Sequence, residues 1–175
     1  YLETLTDGEY VLSGSDTYIQ QGTTDTDVSI TENNSSDGSY VVSVVVQGVG
    51  GQSSTYSQVG FKFNKYNVGN NVGFAGENTN LNVNGDGSLV INLCFDRLSY
   101  NLTVSAGRGI SSVSPNSLQD LKFGQTINVS AVCAGGYSWS TWTASSTPTG
   151  FSHSPATMTN NQVTMGAGDV TLTAS

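Results

Sequence analysis

The chain has 175 residues, long enough for one large or two small domains with a real core. Only 10% of its residues are charged, and its net charge of −8 reflects scarce base: Lys62, Lys65, Lys122, Arg97 and Arg108 are its only lysines and arginines. Such a chain lacks the means to neutralise a row of phosphates, so nucleic acid is not expected as a partner and anionic membrane surfaces are disfavoured.

No run of about 18 apolar residues is present, so no segment reads as a membrane-spanning helix. The 21 glycines, 3 prolines and abundant Ser, Thr, Val and Tyr suit an extracellular all-β protein. The chain opens on Tyr1, which reads as a processed form or an excised fragment, with any export signal or anchor outside it.

Residues 1–98 read as short strands forming an antiparallel β-sandwich. Glu9–Leu12 and Thr17–Gln20 flank Ser13-Gly14-Ser15-Asp16, a hairpin signal. Asp25–Ile30 alternates polar with apolar and breaks at the Asn-Ser-Asp-Gly cluster ending at Gly38. Ser39–Val49 carries apolar residues on both faces, as a central strand does. Gln58–Tyr66 places Val59, Phe61 and Phe63 on one face and Lys62 on the other. Residues 67–80 read as a long polar loop around Val72 and Phe74. Leu81–Val83 and Ser88–Phe95 then flank Asn84-Gly85-Asp86-Gly87, a second hairpin signal. About seven or eight strands at this spacing indicate a sandwich.

Asp96–Ser99 is a junction without a flexible linker, so the two modules are expected to pack against one another. Residues 99–175 form the second module. Tyr100–Gly107 is its first strand, and Ser114–Leu121 its one candidate helical turn, with Pro near the start. Phe123–Ala131 carries a further strand. Gly136-Tyr137-Ser138-Trp139-Ser140-Thr141-Trp142 holds both tryptophans of the chain. Read as a strand, it puts Tyr137, Trp139 and Thr141 on one face and Trp142 on the other, so that one tryptophan is core and the other nearly silent on replacement. Met165–Ala174 alternates Val170, Leu172 and Ala174 inward as a closing strand.

The first strand, Val113-Ser114-Pro115, Phe123–Ala131, the Gly-Tyr-x-Trp-x-x-Trp stretch and the terminal Met-x-x-x-Asp-Val-Thr-Leu-Thr-Ala together resemble bacterial surface repeats of the divergent internalin B-repeat kind. The resemblance spans roughly residues 99–175. It implies a small β-grasp-like module, often repeated, in secreted or wall-displayed bacterial proteins, with no catalytic residues to carry over. Only one copy is visible, and Cys133 departs from the pattern.

Chemistry-bearing residues are few. His153, the only histidine, lies in the loop composition Gly150–Pro155 without a nucleophile motif, so no catalytic residues are expected. No ligand spacing supports a zinc site, and no cofactor is expected. Asn82–Gly87 imitates the start of a calcium loop, but Leu93 stands where the closing glutamate belongs. A looser loop-bound calcium site drawn from Asp16, Asp25, Asp27 or Asp37 stays open. Tyr56, Tyr66 and Phe74, beside Asn67, Asn70 and Asn71, offer an aromatic platform for a sugar; the alternative is that these aromatics are core.

A Cys94–Cys133 disulfide is expected, since both cysteines fall at strand ends near the junction. It would close a loop of about 40 residues and contribute roughly 3–4 kcal/mol. The alternative is two free thiols. The resulting expectation is a non-enzymatic structural or adhesive module, extracellular or on the cell surface, in an appendage subunit or stalk. Its partners would be extracellular proteins, glycans or copies of itself. The competing expectation is a carbohydrate-binding module attached to a secreted hydrolase.

Overall fold

The computed structural model describes residues 1–13, 18–34, 40–69, 81–154 and 159–175. Every regular element among them is a β-strand, so the protein is all-β. The chain divides into two compact units, Tyr1–Arg97 and Leu98–Ser175.

The first unit contains β1 (Leu2–Glu3), β2 (Tyr10–Val11), β3 (Val28–Asn34), β4 (Tyr40–Val46), β5 (Ser53–Tyr56), β6 (Phe61–Val68) and β7 (Ile91–Arg97). They form two sheets, ordered β2-β1-β7-β6 and β3-β4-β5. The valine-rich β4 takes the centre of the smaller sheet. Its Val42, Val44 and Val46 are buried while the alternate residues are half-exposed, the period of two that a pleated strand imposes. Val44 and Val46 meet Val28, Leu81, Ile91 and Leu93 in one core, to which Tyr56, Tyr66 and Val83 are added. In β6 the register slips between Phe63 and Lys65, leaving Asn64 as the extra residue of a bulge opposite Cys94–Phe95.

Two expected hairpins differ. Residues 18–20 are not strand, and residues 14–17 of the first hairpin lie outside the described residues. β2 instead pairs back onto β1, through the turn that Thr4 N–H closes by donating to Glu9 O (2.7 Å). Leu81–Val83 does not pair with the strand that follows it, although the Asn84–Gly87 turn forms, with Gly87 N–H donating to Asn84 O (3.0 Å). Val28 N–H donates to Leu81 O (2.6 Å) and Val83 N–H to Thr26 O (3.0 Å), so this segment runs along the entry to β3. Core burial decides the pairing: there Leu81 becomes buried and Val83 packs on the core, which an isolated hairpin does not provide.

The second unit contains β8 (Ser99–Ala106), β9 (Ile110–Ser114), β10 (Ser117–Lys122), β11 (Thr126–Cys133), β12 (Trp142–Ala144), β13 (Ser152–His153), β14 (Asn160–Thr164) and β15 (Val170–Ala174). Its mixed sheet is ordered β10-β8-β15-β12 and its antiparallel sheet β13-β14-β11-β9. First and last strands lie side by side and parallel, in register from Val170 opposite Leu102 to Ala174 opposite Ala106. Leu102, Val104, Leu172 and Ala174 of the mixed sheet meet Val129, Ala131 and Val163 of the other in a single core with Met165 and Trp142. The module expected to be β-grasp-like thus covers its mixed sheet with a second sheet of strands, and no helix occurs among the described residues.

The expected helical turn is β10, entered through a cis Ser114–Pro115 bond. Leu118 and Leu121 both turn toward the core at a spacing of three, which imitates a helix face. A bulge supplies that spacing, because Leu118 opposes Leu102 while Leu121 opposes Tyr100. Asp120 sits in the bulge with φ +55°, a conformation glycine adopts without strain. Asp120→Gly is therefore expected to stabilise the unit by about 0.5–1 kcal/mol. A lower urea midpoint for that variant would contradict the strained bulge.

The aromatic stretch also differs. Residues 136–141 are not strand, and β12 begins only at Trp142. Ser140 and Thr141 N–H both donate to Ser175 O (2.8 Å each), which seats the segment at the end of β15. The two indoles pack on one another, with centroids 5.3 Å apart and planes at 58°. Trp142 is buried and Trp139 half-buried against the same core, so neither is a silent position. Tyr137 stays exposed and lies against Gly109, whose φ of +82° and missing side chain make room for the ring.

Candidate functional site

Three clusters of polar or aromatic side chains stand out. In the first unit, Glu3 is a buried carboxylate. Gly8 N–H donates to its Oε1 (2.8 Å) and Arg97 N–H to its Oε2 (3.0 Å). Arg97 Nε donates to Glu3 O (3.0 Å), and its guanidinium lies 4.8 Å over the Phe61 ring. On the same sheet the Tyr10 hydroxyl donates to Asp96 Oδ1, and Asn64 Nδ2 donates to that oxygen too (2.9 Å). Burial, reinforced by the Asp96 hydrogen bond, pushes the Tyr10 phenol up to about 12. These groups hold one another across β1, β2, β6 and β7, and their chemistry is that of a stitch between strands.

The aromatic residues proposed as a platform are placed differently from one another. Tyr56 on β5 and Tyr66 on β6 are half-buried and pack against the first core. The Tyr56 hydroxyl accepts from Gln20 Nε2 (2.9 Å), and its ring lies 5.1 Å from that of Tyr18. Phe74, Asn70 and Asn71 lie outside the described residues. Asn67 is buried, its Oδ1 accepting from Asn92 Nδ2 (2.7 Å).

The cysteines do not form the expected bond; both are free thiols. Cys94 is sealed inside the first unit, on the face of β7 opposite Leu93, and burial pushes its thiol up to about 11. Cys133 is half-buried at the end of β11, where the register shifts after Val132. A disulfide requires Cα atoms within about 7 Å and side chains aimed at one another, and a sulfur enclosed by its own sheet lacks an open approach. The cysteine argument for an oxidising compartment therefore lapses. Alkylation of the native, unreduced protein should modify Cys133 well before Cys94, and both should react once the chain is unfolded. Equal rates in the native protein, or no reaction after unfolding, would contradict this placement.

His153 lies on the short β13 rather than in a loop. Its Nδ1 stands 3.0 Å from Ser154 O and 3.4 Å from Asn161 Nδ2, and its ring is 6.0 Å from Phe151. Among the described residues no three His, Cys, Asp or Glu side chains come together as metal ligands, and Asp16 and Asp37 lie outside them.

The third cluster escaped the sequence reading. The mixed sheet of the second unit carries a groove of about 340 Å³, lined by the polar residues Asn101, Thr103, Ser117, Gln119, Ser145, Asp169 and Thr171 and by the apolar Leu102, Leu118 and Val170. Thr103 opposes both Thr171 and Ser117, so hydroxyls line up across three strands. Ser145 continues that row: its N–H donates to Thr171 O (2.8 Å) and its Oγ accepts from Thr171 N–H (3.0 Å). Asn101 fixes the Asp169 carboxylate, with N–H donating to Oδ1 (2.8 Å) and Nδ2 to Oδ2 (3.3 Å). The alternation along β8 and β15 marks these residues as a polar face, and Gln119 joins it from the β10 bulge.

A family model, the divergent InlB B-repeat domain, matches residues 100–175. This part of the chain is thus similar to a repeat domain of bacterial surface proteins, which is compatible with a structural or adhesive role and a location at or outside the cell surface. No curated protein and no solved structure matches the chain.

Proposed function

We propose that the chain is a non-enzymatic structural and adhesive segment of a secreted or surface-displayed bacterial protein, a stalk piece or appendage subunit that carries tension. The similarity of residues 100–175 to a surface-repeat domain supports the setting. The observation that carries the mechanical role is a strand arrangement common to both units: in each, the first strand lies beside the last and parallel to it.

Parallel neighbours put the start of one strand and the end of the other at opposite ends of the pair. Tension along the chain then loads their hydrogen bonds together, in shear. In the second unit this pair is β8 with β15. In the first it is β1 with β7, where Leu2 opposes Phe95, Phe95 N–H donates to Tyr1 O (2.9 Å), and the buried Glu3–Arg97 contacts tie the same two strands. A segment that only presented a ligand would gain nothing from this closure. The competing reading, a carbohydrate-binding module of a hydrolase, draws no support from Tyr56 and Tyr66, whose rings are engaged with the core. Force applied between residue 98 and residue 175 tests the role: resistance to unfolding supports it, and opening at low force rejects it.

A further inference from the structure

The polar groove on the second unit holds more hydrogen-bonding capacity than the fold consumes. Asp169, Asn101 and Ser145 are engaged with one another's strands, as described above. The side chains of Thr103, Ser117, Gln119 and Thr171 make no hydrogen bond with the rest of the described chain. All four stand on strands of a single sheet, so their positions are set by register rather than by a loop. Gln119 lies in the β10 bulge beside Asp120, which takes a left-handed conformation. A bulge of this kind re-aims the neighbouring side chain.

The lining decides the class of ligand. No lysine or arginine lines the groove and a carboxylate does, which disfavours anions. Of the three apolar residues that also line the groove, Leu102 and Val170 are buried in the core and Leu118 is half-buried against it, so the lining is mainly polar and offers a lipid or an aromatic peptide little to anchor on. β8 and β15, which line the groove, are the two central strands of the sheet, paired on both sides. Their backbones are committed, so an extended peptide cannot add to them as a further strand. A ligand must bind through side chains alone, offer many hydroxyl donors and acceptors, and carry no negative charge.

We propose that this groove binds a neutral glycan, whose hydroxyls exchange hydrogen bonds with Thr103, Ser117, Gln119 and Thr171 and donate to the Asp169 carboxylate. The proposal rests on the reading of the chain as an adhesive surface segment and names the ligand class for that role. It also separates the adhesive surface from the aromatic residues of the first unit.

The test is a titration of the isotopically labelled full chain, followed through its backbone amides. The probes are cellohexaose, maltohexaose and mannohexaose, with a heparin oligosaccharide as the anionic control. At least one neutral probe is expected to shift the amides of Thr103, Ser117, Gln119 and Thr171 saturably, while heparin does not. Thr171→Val combined with Gln119→Ala is expected to weaken that binding about tenfold, the loss of two neutral hydrogen bonds, without changing Tm. Thr103→Val is the second variant should the first lose stability. The proposal is overturned if no neutral probe shifts these amides, if the shifts map to Tyr18 and Tyr56 instead, if heparin alone binds, or if the variants bind as tightly as the parent. Failure here leaves the tension-carrying role intact, because that role is read from force and not from the titration.

Discussion

Replacing Trp142 with alanine is expected to remove about 3–5 kcal/mol from the stability of the second unit, the range for emptying the site of a buried large aromatic. Trp142 is 3% exposed and opens β12, where it opposes Ala174 and packs with Met165 and Leu172 in the core. A loss of that size is a large share of the roughly 5–15 kcal/mol that holds a native protein together, so the unit should be marginal or unfolded at room temperature. Trp139→Ala should cost less, about 1–2 kcal/mol, because its ring is only half-buried where it packs against the core and Trp142. Both tryptophans lie in the second unit, so indole fluorescence during urea unfolding reports on that unit alone. In each variant the remaining tryptophan still gives a signal. Small and equal losses at the two positions would show that neither indole is part of the core.

The strands that were legible in the sequence are those whose burial follows a period of two. β8 and β15 alternate buried with more open positions, and β4, legible as a continuous apolar run, buries every second valine. The features that were not legible depend on contacts remote in sequence or on single extra residues. The bulge at Asp120 spaces Leu118 and Leu121 as a helix would, and only the pairing with β8 shows it to be a strand. Leu81–Val83 carries a hairpin signal, yet its backbone partners lie near residue 26, across the core. The Trp139–Trp142 stack needs no strand because Ser175 O, at the far end of the unit, anchors the segment between the rings. The groove is legible only as a polar face, since a groove is a property of the sheet's shape and not of any one strand's pattern. The Glu3–Arg97 stitch joins residues at opposite ends of the first unit, beyond the reach of any local pattern.

The tension-carrying role depends on the direction in which β8 and β15 are loaded. Their five paired positions run from Leu102 with Val170 to Ala106 with Ala174. Pulling from residue 98, before β8, and from residue 175, after β15, slides the strands past one another and strains every bond between them at once. Pulling from Arg108, just after β8, and from residue 175 draws apart two ends that lie side by side, and the same bonds then break one after another. Arg108 is exposed and follows Gly107, whose N–H donates to Ala174 O (2.7 Å), so the second geometry begins at the last bond of the ladder. Forced unfolding is governed by the rate of unfolding along the pulled direction, not by equilibrium stability. The same folded unit should therefore respond differently to the two geometries. Single-molecule pulling of the full chain with these two pairs of attachment points makes the comparison directly. A markedly higher rupture force between residues 98 and 175 than between residues 108 and 175 is the predicted result. Equal forces in the two geometries would contradict the tension-carrying role.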